Sequence, residues 1–124
     1  MTQQTKRATK TVAKKTTKEQ VELYSTIQPL LSAAFDEVKE FSKKKQDDPL
    51  NIKKVRMINR ILEKAKEVLK NEKTVEYLEL LDEDELPSNS DAVLTMSQYM
   101  AAMNKFHKDH YHLGTWDEVE GDWD

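Results

Sequence analysis

From Leu23 onward, apolar residues return along the chain at helical intervals. Leu23, Ile27, Leu30, Leu31, Ala34, Phe35, Val38 and Phe41 recur mostly three or four positions apart, which sets them on one helical face. A start signal precedes them. Thr16 with Glu19, or Thr17 with Gln20, has the spacing of a capping box, in which a hydroxyl accepts from a free first-turn amide and the acid or amide reaches back. Pro29 falls inside this stripe. It removes a backbone donor and crowds the carbonyl four residues earlier, so a kink is expected near Ile27–Gln28. The stripe keeps its phase across Pro29, which favours one kinked helix over two. Lys43, Lys44 and Lys45 suit a last turn, where free carbonyls concentrate negative charge.

A second stripe follows in Val55, Ile58, Ile61, Leu62, Ala65, Val68 and Leu69, ending by Asn71. Asp48 as cap and Pro49 as first helical residue are its expected start. Thr74 is expected to cap a short third helix with Val75, Tyr77, Leu78, Leu80 and Leu81 as its apolar set, before an acidic loop at DEDELPSNS. Ser88 or Ser90 opens a last helix, and Ser88 with Asp91 has capping-box spacing. Ala92, Met96, Tyr99, Met103, Phe106 and His110 then step by four and three, with Met100 beside them, up to a stop at Gly114. No internal repeat and no strand alternation appears.

Amphipathic helices bury their stripes against one another or a partner. The expected fold is therefore all-α: a small antiparallel bundle of three long helices and one short one over 18–112. Leu31, Phe35, Val38, Ile58, Leu62, Leu69, Met103 and Phe106 are expected in its core. Outside it lie a basic arm over 1–17 and an acidic, Trp-containing tail over 113–124. The arm holds one large apolar residue, Val12, after Met1 and is expected to be disordered.

The 124-residue chain suits a single small domain, and its lack of cysteine excludes disulfides and thiolate metal sites. The net charge of −3 hides opposed blocks. Residues 1–18 carry +6, 39–73 another +6, 74–91 carry −7 and 113–124 carry −5. No apolar run has the length of a membrane span, and no apolar leader opens the chain. An intracellular, cytoplasmic protein without membrane contact is expected.

Catalytic signals are sparse. His107 and His110 lie one turn apart and are the only metal candidates, with Asp109 or His112 nearby, yet a zinc site takes three or four ligands. An Arg–His ribonuclease pair has no support, because Arg7, Arg56 and Arg60 are all remote from the histidines. There is no G-x-S-x-G elbow and no phosphate-cradling glycine loop. The acidic run 82–85 has the composition of a solvated loop. No enzyme activity and no cofactor are expected.

Binding signals are stronger. Both tryptophans, Trp116 and Trp123, sit in the acidic tail, and Asp122 and Asp124 flank Trp123. An indole among carboxylates suits an anchored, electrostatically steered contact with a partner. Met96 and Met100 add an adaptable apolar face on the last helix. The expected function is a non-enzymatic protein–protein interaction module: a small helical subunit, adaptor, inhibitor or antitoxin-like regulator. A second copy of the chain is a further candidate partner. The alternative is a nucleic-acid-binding accessory protein. It would neutralise phosphates with Lys6, Arg7, Lys10, Lys14 and Lys15 of the arm and with Lys53, Arg56 and Arg60 of the second helix.

Overall fold

The computed structural model describes residues 16–112. The arm over 1–15, the tail over 113–124 and the Gly114 stop lie outside the described residues. Within them the chain is all-α, with helices α1 (Lys18–Lys44), α2 (Ile52–Val68) and α3 (Asn89–His112) and a short 3₁₀ turn at Lys73–Tyr77. Among the described residues the only β feature is an isolated bridge between Pro49 and Ser88.

Thr17 opens α1 as the spacing predicted. Its hydroxyl accepts from the Gln20 amide at 3.1 Å, and Gln20 Oε1 accepts from the Thr17 amide at 3.1 Å. Gln20 also donates through Nε2 to the Val68 carbonyl at 3.0 Å, tying the start of α1 to the end of α2. The helix continues through Pro29. Ile27, Leu31 and Val38 reach the core, whereas Leu30 stands in solvent and Phe35 is only half-buried. Phe35 is thus corrected from core to rim, and the Lys39 ammonium lies 5.3 Å from its ring centroid.

Asp48 and Pro49 do not start α2. Asn51 caps it, accepting from the Lys54 amide at 2.9 Å. The reason is tertiary. Leu50 is buried, and its amide donates to the Pro87 carbonyl at 2.8 Å, while the Asn89 amide donates to the Asp48 carbonyl at 2.8 Å. Residues 48–50 are held as a pairing segment, so the helix begins just after them.

The expected third helix is also corrected. Only Lys73–Tyr77 winds, as a 3₁₀ turn without a side-chain cap, and the chain beyond it is extended. This stretch runs back along α2 and borders α3. The Lys66 ammonium donates to the Leu78 carbonyl at 3.2 Å. Asn59 brackets Leu81, its Nδ2 donating to the carbonyl and its Oδ1 accepting from the amide, both at 2.9 Å. The Tyr99 hydroxyl donates to the Glu79 carbonyl at 2.8 Å. Side chains thus supply the partners that a helix would supply internally.

These contacts also set helix direction. Phe41 meets Lys54, Gln20 meets Val68 and Tyr24 meets His107. Helix α1 therefore runs against both α2 and α3, and those two run the same way because the extended stretch returns the chain between them. Ser88 accepts from the Asp91 amide at 3.1 Å where α3 starts.

Tyr99 yields a pH prediction. Its ring is fully buried. Burial first and the Glu79 carboxylate second push its phenol up to about 12. A phenol raised in the folded state leaves stability intact below its unfolded value near 10 and removes it as pH climbs through 10 to about 12. The loss should be on the order of 2 kcal/mol. Urea midpoints measured across that range should fall more steeply for the wild type than for Tyr99→Phe. Parallel curves would show that this phenol does not carry the effect.

Candidate docking face

The inward side of α2 is spent on Val55, Ile58, Asn59, Leu62, Ala65 and Val68. Its outward side therefore carries Lys53, Met57, Arg60 and Lys64, at successive steps of four, three and four, all exposed. Met57 is 53% exposed, high for a large apolar side chain on a helix with a well-buried opposite face. A solvent-open hollow of about 720 Å³ lies here, lined by Lys53, Arg56, Met57, Arg60, Glu63 and Glu83 among others.

The cations of this face divide into two kinds. Arg56 is paired with Glu83 at 3.3 Å, and the Lys54 ammonium sits 4.1 Å from the Phe41 ring centroid. Farther along, Lys64 lies 3.6 Å from Glu67. Lys53 and Arg60 make no ion pair among the described residues. They stand one on each side of Met57. The acidic turn beyond Glu83 is internally braced. The amides of Glu85 and Asp84 donate to the Asp82 carboxylate and hold it below the usual range.

Comparison of the chain with family models, with curated proteins and with solved structures found no match.

The other predicted residues fall as follows. Met96 is 0% exposed and belongs to the core, so it is corrected from a docking contact to a packing residue. Met100 packs half-buried at the edge of the core. His107 stacks between Tyr24 at 5.6 Å and Tyr111 at 5.5 Å. His110 is buried against the Phe106 ring, with Nε2 3.2 Å from Glu72 Oε2. The two imidazoles are thus engaged with different neighbours, and no group of three His, Asp or Glu able to hold a metal occurs among the described residues. Trp116, Trp123, Asp122 and Asp124, with Lys6, Arg7, Lys10, Lys14 and Lys15, lie outside the described residues. No helix among the described residues is long and apolar enough to cross a membrane.

Charge in the sequence points to Lys53, Arg56 and Arg60 on this helix but not to Met57. The signal for Met57 is its phase: it lies off the Val55–Ile58–Leu62 stripe, which marks it as a solvent-side apolar residue.

A second, smaller hollow of about 250 Å³ lies between the 3₁₀ turn and α3, lined by Thr74, Tyr77, Leu78, Gln98, Ala101 and Ala102. It has no charged lining and therefore offers less to orient a partner.

Proposed function

We propose that this chain is a non-enzymatic protein–protein interaction module that docks its partner on the outward face of α2. The observation that carries the reading is Met57, half-exposed in a solvent-open hollow between Lys53 and Arg60, two cations that make no ion pair among the described residues. Such a face fits an acidic segment bearing one large apolar side chain: the anchor covers Met57 and the carboxylates meet the rim. A regulator, adaptor or inhibitory subunit built as a helical bundle with charged terminal segments would work in this way. The tail residues Trp116, Trp123, Asp122 and Asp124 form its second contact.

Affinity capture from the native cell after nuclease treatment tests the reading, with wild type beside Lys53→Glu/Met57→Asp. Both substituted side chains are exposed, so the melting temperature should hold. A protein partner should be retained by the wild type and depleted by about tenfold or more in the variant. Equal retention by both would remove α2 from the interface.

One observation favours a nucleic-acid reading. Lys53 and Arg60, which make no ion pair among the described residues, would add phosphate contacts to those of the arm. Against it, Glu83 occupies Arg56 and a braced acidic turn adjoins the face. A steep loss of oligonucleotide affinity with salt, blunted by Arg60→Glu, would favour that reading instead.

A further inference from the structure

We infer that the α2 face has an occupant within this chain: the segment Asp122-Trp123-Asp124, which docks on Lys53, Met57 and Arg60 and covers the face until a partner displaces it. The inference takes the docking face from the proposed function above and adds its resident ligand.

Chain length permits the contact. Helix α3 ends beside the end of α2, where His110 Nε2 meets Glu72 Oε2 at 3.2 Å. From there Met57 lies about 16 Å back along α2, at about 1.5 Å per helical residue. Trp123 is eleven residues beyond His112 and reaches up to about 36 Å at roughly 3.3 Å per residue. More than half of that reach remains for passing around to the outward face.

The chemistry is complementary residue by residue. On the helix the order is cation, thioether, cation; in the tail it is carboxylate, indole, carboxylate. Thioether–aromatic contact is favourable, and an Arg or Lys beside an indole adds cation–π attraction. Lys53 and Arg60 are about 10 Å apart along the helix, and their long flexible stems can close on carboxylates to either side of a seated indole. A backbone with about three residues per turn directs neighbouring side chains about 120° apart, which allows the indole to face Met57 with an acid on each flank.

The basic arm is the rival target for the tail. Residues 1–15 carry +5, opposite to the −5 of residues 113–124. The arm, however, offers an indole only Met1 and Val12 among large apolar residues. Charge alone is screened within about 8 Å at physiological salt. The α2 face supplies both charge and apolar surface, and so it wins.

Both tryptophans of the chain lie in the tail, so indole fluorescence reports on it without a label. Trp116→Phe leaves Trp123 as the single reporter. In this full-length chain, acrylamide quenching of Trp123 should be weak and its emission blue-shifted relative to the urea-unfolded protein. Lys53→Glu/Arg60→Glu should raise quenching to the unfolded value and red-shift the emission, with far-UV circular dichroism unchanged. Adding Asp122→Lys/Asp124→Lys to that variant should restore protection. Trp123 as exposed as in urea would overturn the inference. So would protection that survives the α2 variant, that is lost only when the arm lysines are neutralised, or that grows with protein concentration as a contact between two copies would. Exposed Trp123 together with partner capture that still depends on Lys53 and Met57 would overturn the resident ligand and leave the docking face standing. Trp123 released by the α2 variant while capture is unaffected would support the tail contact on α2 and overturn its displacement by a partner.

Discussion

Phe106→Ala should lower stability by about 3–5 kcal/mol, the cost of a large cavity in a packed core. Phe106 is 1% exposed. Its ring lies 5.8 Å from that of Tyr24 and 4.7 Å from that of His110. Deleting it would remove both of these ring contacts where α1 and α3 meet, at the end of the fold that His110 and Glu72 also tie together. A domain of this size holds only about 5–15 kcal/mol in all, so the variant should be partly unfolded at mild denaturant concentration. Phe35→Ala should cost clearly less, because that ring is half-buried and vacates space that solvent can enter. Urea unfolding followed by circular dichroism decides between them. Equal losses for the two variants would mean that Phe106 does not sit in the interior.

Asn59→Ala should cost about 2–4 kcal/mol, because two backbone groups of Leu81 lose their partners and buried unsatisfied groups each cost about 1–3 kcal/mol. Asn59 is itself buried, and its amide makes both bonds at 2.9 Å. The damage should be local before it is global. Amide exchange at Leu81 should accelerate first, as the extended stretch lifts from α2. Asn59→Asp tests the geometry further: a carboxylate still accepts from the Leu81 amide but cannot donate to the carbonyl, and it buries a charge. It should therefore rescue little. Slow exchange at Leu81 in Asn59→Ala would show that this bracket does not hold the stretch in place.

Much of this protein is legible along the chain. The Thr17–Gln20 box and the Ser88 start follow from local hydrogen bonding between residues three apart, which needs no information from elsewhere in the fold. The inward stripes of α1, α2 and α3 follow from helical geometry, and Leu31, Val38, Ile58, Leu62, Leu69, Met103 and Phe106 are all buried as their spacing requires. The charge blocks that frame the docking proposal are likewise properties of the sequence.

Tertiary structure decided the remainder, in each case because a distant residue outcompeted a local preference. Asp48-Pro49 is a sound helix start in isolation, but the Leu50 amide is taken by Pro87 across the fold. Leu78 and Leu81 have helical spacing, yet Asn59, Lys66 and Tyr99 satisfy the extended backbone and let both leucines stay buried without winding. That returning stretch sets α2 and α3 running the same way, which periodicity alone does not encode. The same holds for the candidate face. Lys53, Arg56 and Arg60 are equivalent basic residues in the sequence. Only the fold brings Glu83 to Arg56 and, among the described residues, gives Lys53 and Arg60 on either side of Met57 no ion pair, because an ion pair depends on separation in space and not along the chain.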